Sequence, residues 1–104
     1  MKVRVLPRAK EEVKRMADYA NTKWNRRVGR NVLRNFRKNM ALLAHQPWLG
    51  CLEPLLSDRA KAYRSLVIHK HCKVVYFVDE EADTLVIADV WDTRREPKNL
   101  MQNL

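Results

Sequence analysis

Residues 63–97 read YRSLVIHKHCKVVYFVDEEADTLVIADVWDTRREP, and the fold follows from how this stretch divides. Tyr63–His69 and Cys72–Asp79 are rich in Val, Ile, Tyr and Phe, and only Lys70 and His71 separate them. That spacing predicts two strands joined by a tight hairpin. Glu80–Asp83 is a charged turn, and Thr84–Trp91 is a third apolar run. Links this short cannot make a parallel crossover, so the expectation is a three-stranded antiparallel meander. The stretch closes in a charged tail, Asp92–Pro97.

Upstream the apolar period changes from two to 3.6. Lys2–Leu6 alternates and reads as a short strand that joins the meander. Pro7 suits the first turn of a helix. Ala9, Val13, Met16, Ala17, Ala20 and Trp24 then define one helical face. Asn21, Thr22 and Asn25 mark a turn. A second helix is expected from Trp24 or Arg26 to Ala44, with Val28, Val32, Phe36, Met40 and Leu43 on one side. Lys23, Arg26, Arg27, Arg30, Arg34, Arg37 and Lys38 fall on the other side, with no acidic residue among them. Pro47 ends this helix, and Trp48–Lys61 connects it to the meander, with Leu49, Leu52, Leu55 and Leu56 tucked under the rim. The order strand, helix, helix, strand, strand, strand predicts an α+β fold: one sheet, with the helix pair on one face.

The 104 residues fit one domain, residues 1–104. The net charge is +9, and its placement is informative. Residues 1–40 carry thirteen Lys and Arg against three Asp and Glu, whereas residues 41–104 carry eight against nine. Seven like charges on one helix face repel one another unless an anion sits there, so a polyanionic or acidic partner is expected. Cys51 and Cys72 form neither a disulfide framework nor a zinc motif. Gly29 and Gly50 are the sole glycines, so there is no phosphate-binding loop, and no GxSxG or HExxH pattern occurs. No metal or cofactor is expected. No apolar run is long enough to span a membrane, and MKVRVLPRAKEE lacks an apolar signal core, so a cytoplasmic location is expected.

Three groups carry candidate chemistry. With a two-residue turn, Arg64 and Lys73 fall opposite or nearly so, on one sheet face shared with Leu66, Ile68, Val75, Phe77, Val86, Ala88 and Val90. Such a pair can contact a phosphate. Both faces are largely apolar, so the alternation leaves open which one meets solvent. His69 and His71 flank the hairpin turn, and an imidazole there could serve as a proton shuttle. Trp91 followed by Arg94 and Arg95 reads either as a surface tail or as an aromatic and basic patch at the sheet edge.

Tyr63-Arg64-Ser65-Leu66, Lys73-Val74-Val75-Tyr76, Val90-Trp91-Asp92-x-Arg94-Arg95-x-Pro97 and Leu43-x-x-x-Pro47-x-x-Gly50 occur in order and at the right spacings. The set resembles the RelE/ParE superfamily of toxins from bacterial type II toxin–antitoxin modules. The resemblance implies growth inhibition, plasmid stabilisation and neutralisation by a cognate antitoxin, in a toxin–antitoxin hetero-oligomer. It implies one of two targets: DNA gyrase, poisoned by binding, or messenger RNA on the ribosome, cleaved by a metal-independent endonuclease. In the nuclease branch Arg64 and Lys73 occupy matching places on a concave face that takes the messenger. Arg94 or Arg95 could supply a further arginine, and Leu66 stands where such a nuclease typically has a lysine. Those nucleases usually carry a Tyr or His near the C-terminus, and this chain has neither after Tyr76. That departure favours the gyrase poison. Arg26, Arg30, Arg34, Arg37, Trp91, Arg94 and Arg95 are then the expected contacts to antitoxin or target. A non-toxic RNA-binding module is the third expectation.

Overall fold

A computed structural model describes residues 1–94 and 97–104. Its elements are β1 (Lys2–Val5), α1 (Pro7–Lys23), α2 (Arg26–His45), β2 (Cys51–Leu52), a 3-10 turn (Pro54–Leu56), β3 (Arg64–His69), β4 (Cys72–Asp79), β5 (Thr84–Asp92) and α3 (Pro97–Asn103). They form one five-stranded sheet in the order β1-β5-β4-β3-β2. The meander is antiparallel as expected. β1 joins it beside β5, and that pairing is parallel because the helix pair supplies the long crossover. At the β4–β5 turn Asp83 takes a left-handed backbone, φ 49°, which Asp tolerates better than most residues.

Both expected helices form, α1 running through Asn21 and Thr22, where a turn was expected, to Lys23, and α2 ending at His45, shortly before Pro47. Pro7 opens α1, and the side chain of Asn25 caps α2 by accepting from the Val28 N–H at 3.0 Å. α1 buries small residues, Ala9, Val13, Ala17 and Ala20, so its backbone sits close to its neighbours. Gly29 permits the same on α2: a Cβ there would lie 2.8 Å from the Ala17 carbonyl and overlap Asn21.

Four expectations need correcting. First, Arg64 and Lys73 do not share a face. Arg64 pairs with Tyr76 and Val67 with Lys73, so the two cations project to opposite sides. A bulge between Val67 and His69 inserts one residue, and a one-residue slip flips every side chain beyond it. A second irregularity, between Val75 and Tyr76 on the β5 side, lets all of Leu85–Val90 be buried. The helix-covered face therefore carries Val74, Tyr76, Leu85, Ile87 and Val90.

Second, the other face is covered too. Leu56, Val75, Trp91 and Leu100 form a second cluster there, closed by the 3-10 turn and α3, so helical structure lies on both faces. Trp91 is 2% exposed within it, and β5 is an interior strand; no exposed Trp91 patch forms at an edge. Third, Trp24 does not continue the buried face of α1. The helix ends at Lys23, and Trp24 is 59% exposed. Fourth, of the leucines placed under the rim, Leu56 is buried whereas Leu49 and Leu52 are exposed.

Candidate partner-docking groove and basic helix

The apolar stripe of α2 is not sealed by the fold. Val28, Val32 and Phe36 are half-buried, and only Gly29 and Leu43 of this helix are fully buried. α1 lies against the sheet, but α2 stands off it. A groove of about 680 Å³ opens between them and the end of the β3–β4 hairpin. Its walls include Met16, Val28, Val32, Phe36, Ile68 and Val90. One polar tie spans it: Asn35 Nδ2 donates to the Ile68 carbonyl at 2.9 Å. An open apolar trough of this size on a small protein is a candidate docking site for another chain.

Tyr19 and Trp24 stand at its mouth. Both are 59% exposed and meet edge to face, with centroids 6.2 Å apart. Lys23 Nζ lies over both rings, at 5.5 and 5.1 Å. Sequence reading passed over them: Tyr19 falls off the buried face of α1, and Trp24 sits where helical periodicity still assigned it to the core. The usable signal is two large aromatics within seven positions of a basic helix start.

The sheet end of the groove holds His69, His71, Cys72, Asp92 and Arg94. The Arg94 side chain clasps Asp92, Nη2 to Oδ2 at 2.8 Å and Nε to Oδ1 at 3.1 Å. That clasp, helped by the Arg94 N–H and by His71, holds the Asp92 carboxyl down at about 2. Burial, with Asp92 and Glu12 adding negative charge, pushes the Cys72 thiol up to about 11, so it is not a nucleophile at neutral pH. His69, exposed, and His71, half-buried, thus line the sheet end of the groove. Among the described residues no three His, Cys, Asp or Glu side chains converge as metal ligands.

Outside the groove, α2 shows its basic stripe to solvent. Arg26, Arg30, Arg34 and Arg37 are exposed, as are Arg27 and Lys38. None of them makes an ion pair among the described residues. Arg94 is exposed but engaged with Asp92, and Arg95 lies outside the described residues.

Arg64 and Lys73 are used inside the fold. Lys73 Nζ donates to Glu53 Oε1 at 2.7 Å, and Ser65 Oγ donates to Glu53 Oε2 at 2.7 Å. The Glu53 side chain is 2% exposed and that of Lys73 14%, so this is a buried pair. Arg64 Nη1 donates to the Gly50 carbonyl at 2.6 Å, and its guanidinium lies 5.1 Å from the Trp48 ring. Tyr76 completes the arrangement: its hydroxyl donates to the Pro47 carbonyl at 2.9 Å and accepts from the Gly50 N–H at 2.8 Å. Sequence reading missed Glu53, although a lone acid within CLEPLL and a lone Lys within a buried strand are complementary signals.

Among the described residues no helix is long and apolar enough to cross a membrane. No curated protein matches the chain. The family model of the ParE toxin of type II toxin–antitoxin systems, parDE, matches residues 3–97. With that match spanning an α+β sheet, a basic helix hairpin and an open docking groove, the chain belongs to the ParE toxin family of type II toxin–antitoxin systems, whose toxins act opposite a cognate antitoxin.

Proposed function

We propose that this toxin acts by binding, as a DNA gyrase poison, and not by cleaving RNA. The observation that carries the reading is the commitment of Arg64 and Lys73 to the fold. Lys73 is neutralised by Glu53, Arg64 holds the Gly50 carbonyl, and the two lie on opposite faces of the sheet. General acid–base cleavage needs one group to take a proton and another to give one, within reach of the same phosphate. Arg64 stays protonated and can only stabilise charge. His69 and His71 lie at the far end of the β3–β4 hairpin from Arg64. A binding poison requires none of this chemistry.

The same reading gives the groove to the antitoxin. An amphipathic segment would bury its apolar side against Val28, Val32, Phe36 and the aromatic mouth. Acidic residues on its flank would meet Arg26, Arg30, Arg34 and Arg37. Binding of this kind supplies the counter-charge that α2 lacks among the described residues.

Purified toxin, with and without antitoxin, tests both targets. Loss of plasmid supercoiling by gyrase, restored by antitoxin, is the expected result. Cleavage of messenger RNA on purified ribosomes, with supercoiling unaffected, overturns the reading and moves the protein to the nuclease branch. Nucleic-acid binding with neither effect leaves a basic RNA-binding module.

A further inference from the structure

A second surface lies apart from the groove, on the segment between α2 and the 3-10 turn. Trp48 is 53% exposed, Leu49 42% and Leu52 60%. Three large apolar side chains displayed on one short segment oppose the hydrophobic effect unless something covers them. The backbone that displays them is held from beneath by buried polar groups. Tyr76 fixes Pro47 and Gly50, Arg64 fixes Gly50, and Lys73 with Ser65 fixes Glu53. The contact is so close that a Cβ on Gly50 would lie 2.7 Å from both the Tyr76 hydroxyl and the Ser65 carbonyl. A buried ion pair is a poor way to gain stability. It is a good way to hold a loop in one conformation, and a loop already ordered loses little entropy on binding.

We propose that the Pro47–Glu53 loop is the surface by which the toxin grips its target protein, and that it fits an apolar pocket rimmed by a carboxylate. Charge complementarity argues for that partner. Arg64 makes no ion pair among the described residues, and its buried Nε has no hydrogen-bond partner. Lys73, on the opposite face of the sheet, is neutralised by Glu53, so Arg64 is the cation left uncompensated beside Trp48. A carboxylate of the partner, meeting the half-buried guanidinium from its solvent side, would balance that charge, while the buried Nε stays out of its reach. A second copy of this chain would bring Arg64 toward Arg64 across a two-fold axis, which disfavours self-association. Of the three exposed apolar side chains only Trp48 could stack on a base, which disfavours a nucleic-acid strand that needs successive stacking platforms. Trp and Arg in contact, ringed by aliphatic side chains, is the composition of a binding hot spot.

The inference rests on the toxin reading above, and the test separates the two. The double variant Trp48→Ala, Leu52→Ser removes exposed side chains and leaves the buried staples in place. It should keep the thermal midpoint and the calorimetric affinity for antitoxin of the wild type. Its growth arrest on induction and its inhibition of purified gyrase should both fall by about tenfold or more. Trp48→Phe should keep most of both activities. If the double variant arrests growth as strongly as wild type, the inference is wrong. Equal losses of antitoxin and target affinity also overturn it, since the loop would then belong to the antitoxin surface. If wild type arrests growth without touching gyrase, the gyrase reading fails, while loss of arrest in the variant still supports the loop. A wild-type chain that arrests nothing takes down the toxin reading and the inference together.

Discussion

Helix α2 and the Pro47–Glu53 loop both meet solvent, and they treat charge in opposite ways. On α2 the cations are outside and unpaired, above an apolar stripe that the fold leaves half covered. At the loop the charges are beneath, paired or hydrogen-bonded, and the apolar groups are outside. Unpaired surface charge acts at a distance and is screened by salt, with a Debye length of about 8 Å at physiological ionic strength. It steers an acidic partner and governs how fast it arrives. Exposed apolar groups on a fixed backbone act only on contact and govern how long a partner stays. One small sheet thus carries one surface suited to capture and another suited to fit.

Breaking the loop's foundation should give the largest effect. Lys73→Met leaves the Glu53 carboxylate buried without its cation, and should lower unfolding free energy by roughly 3–5 kcal/mol. Adding Glu53→Gln should recover much of the loss. Urea midpoints of the single and double variants check this, and equal midpoints would mean that the pair does not matter. Trp91→Ala should cost a similar amount, about 3–5 kcal/mol, because it empties the second core. Since Trp91 contacts no solvent, folded Trp91→Ala should bind antitoxin as wild type does at low temperature.

Reversing the α2 stripe should separate capture from stability. Arg30→Glu, Arg34→Glu and Arg37→Glu together should slow antitoxin association by about tenfold or more and flatten its salt dependence. Stability should change by no more than about 0.5 kcal/mol per site, as for ordinary surface substitutions. Stopped-flow association at two salt concentrations reads the first effect and thermal melting the second. An unchanged rate at low salt would make the stripe a solvated face only.

Two carboxyls on β5 give smaller effects of opposite sign. Burial, with Glu12 adding to it, raises Asp89 above the usual carboxylate range, partly offset by the Val90 N–H, by Arg8 and by the Asn103 side chain. A raised carboxyl destabilises the fold when ionised, and the penalty fades as pH falls through its folded pKa. Asp89→Asn keeps the Val90 contact and should add about 1 kcal/mol at pH 7. That gain should shrink toward zero in acid. Asp92 behaves in reverse. Held at about 2 by Arg94, it adds stability above its unfolded pKa of about 3.9 and loses it as pH falls toward 2. Arg94→Ala should erase that acid limb, lowering the melting temperature slightly at pH 7 and leaving it unchanged near pH 2. Melting curves from pH 2 to 8 distinguish the two carboxyls.

Strand and helix positions were legible because periodicity is local: β-branched runs, a helix-opening Pro7 and a capping Asn25 each announce themselves within a few residues. The α2 stripe was legible for the same reason. The register was not, because the bulge between Val67 and His69 carries no Gly or Pro to mark it, and it reversed the placement of Lys73 relative to Arg64. Nor was the second core. Lys98–Leu104 is short and mostly polar, and only Leu100 and Leu104 reveal its packing once Trp91 is known to face it. Glu53 and Lys73 lie 20 positions apart, so their pairing depends on the loop path and not on any local pattern.

The parallel pairing of β1 has a consequence for timing. Lys2 faces Thr84 and Val5 faces Ile87, so the first strand waits 82 positions for its neighbour. At about 5–20 residues per second, β5 follows β1 out of synthesis by roughly 4–16 s. Until then α1 and α2 have no sheet to rest on, β4 has only β3 beside it, and neither the groove nor the loop has its floor. A partial chain, whether still being translated or cut short, therefore presents neither surface in its finished form.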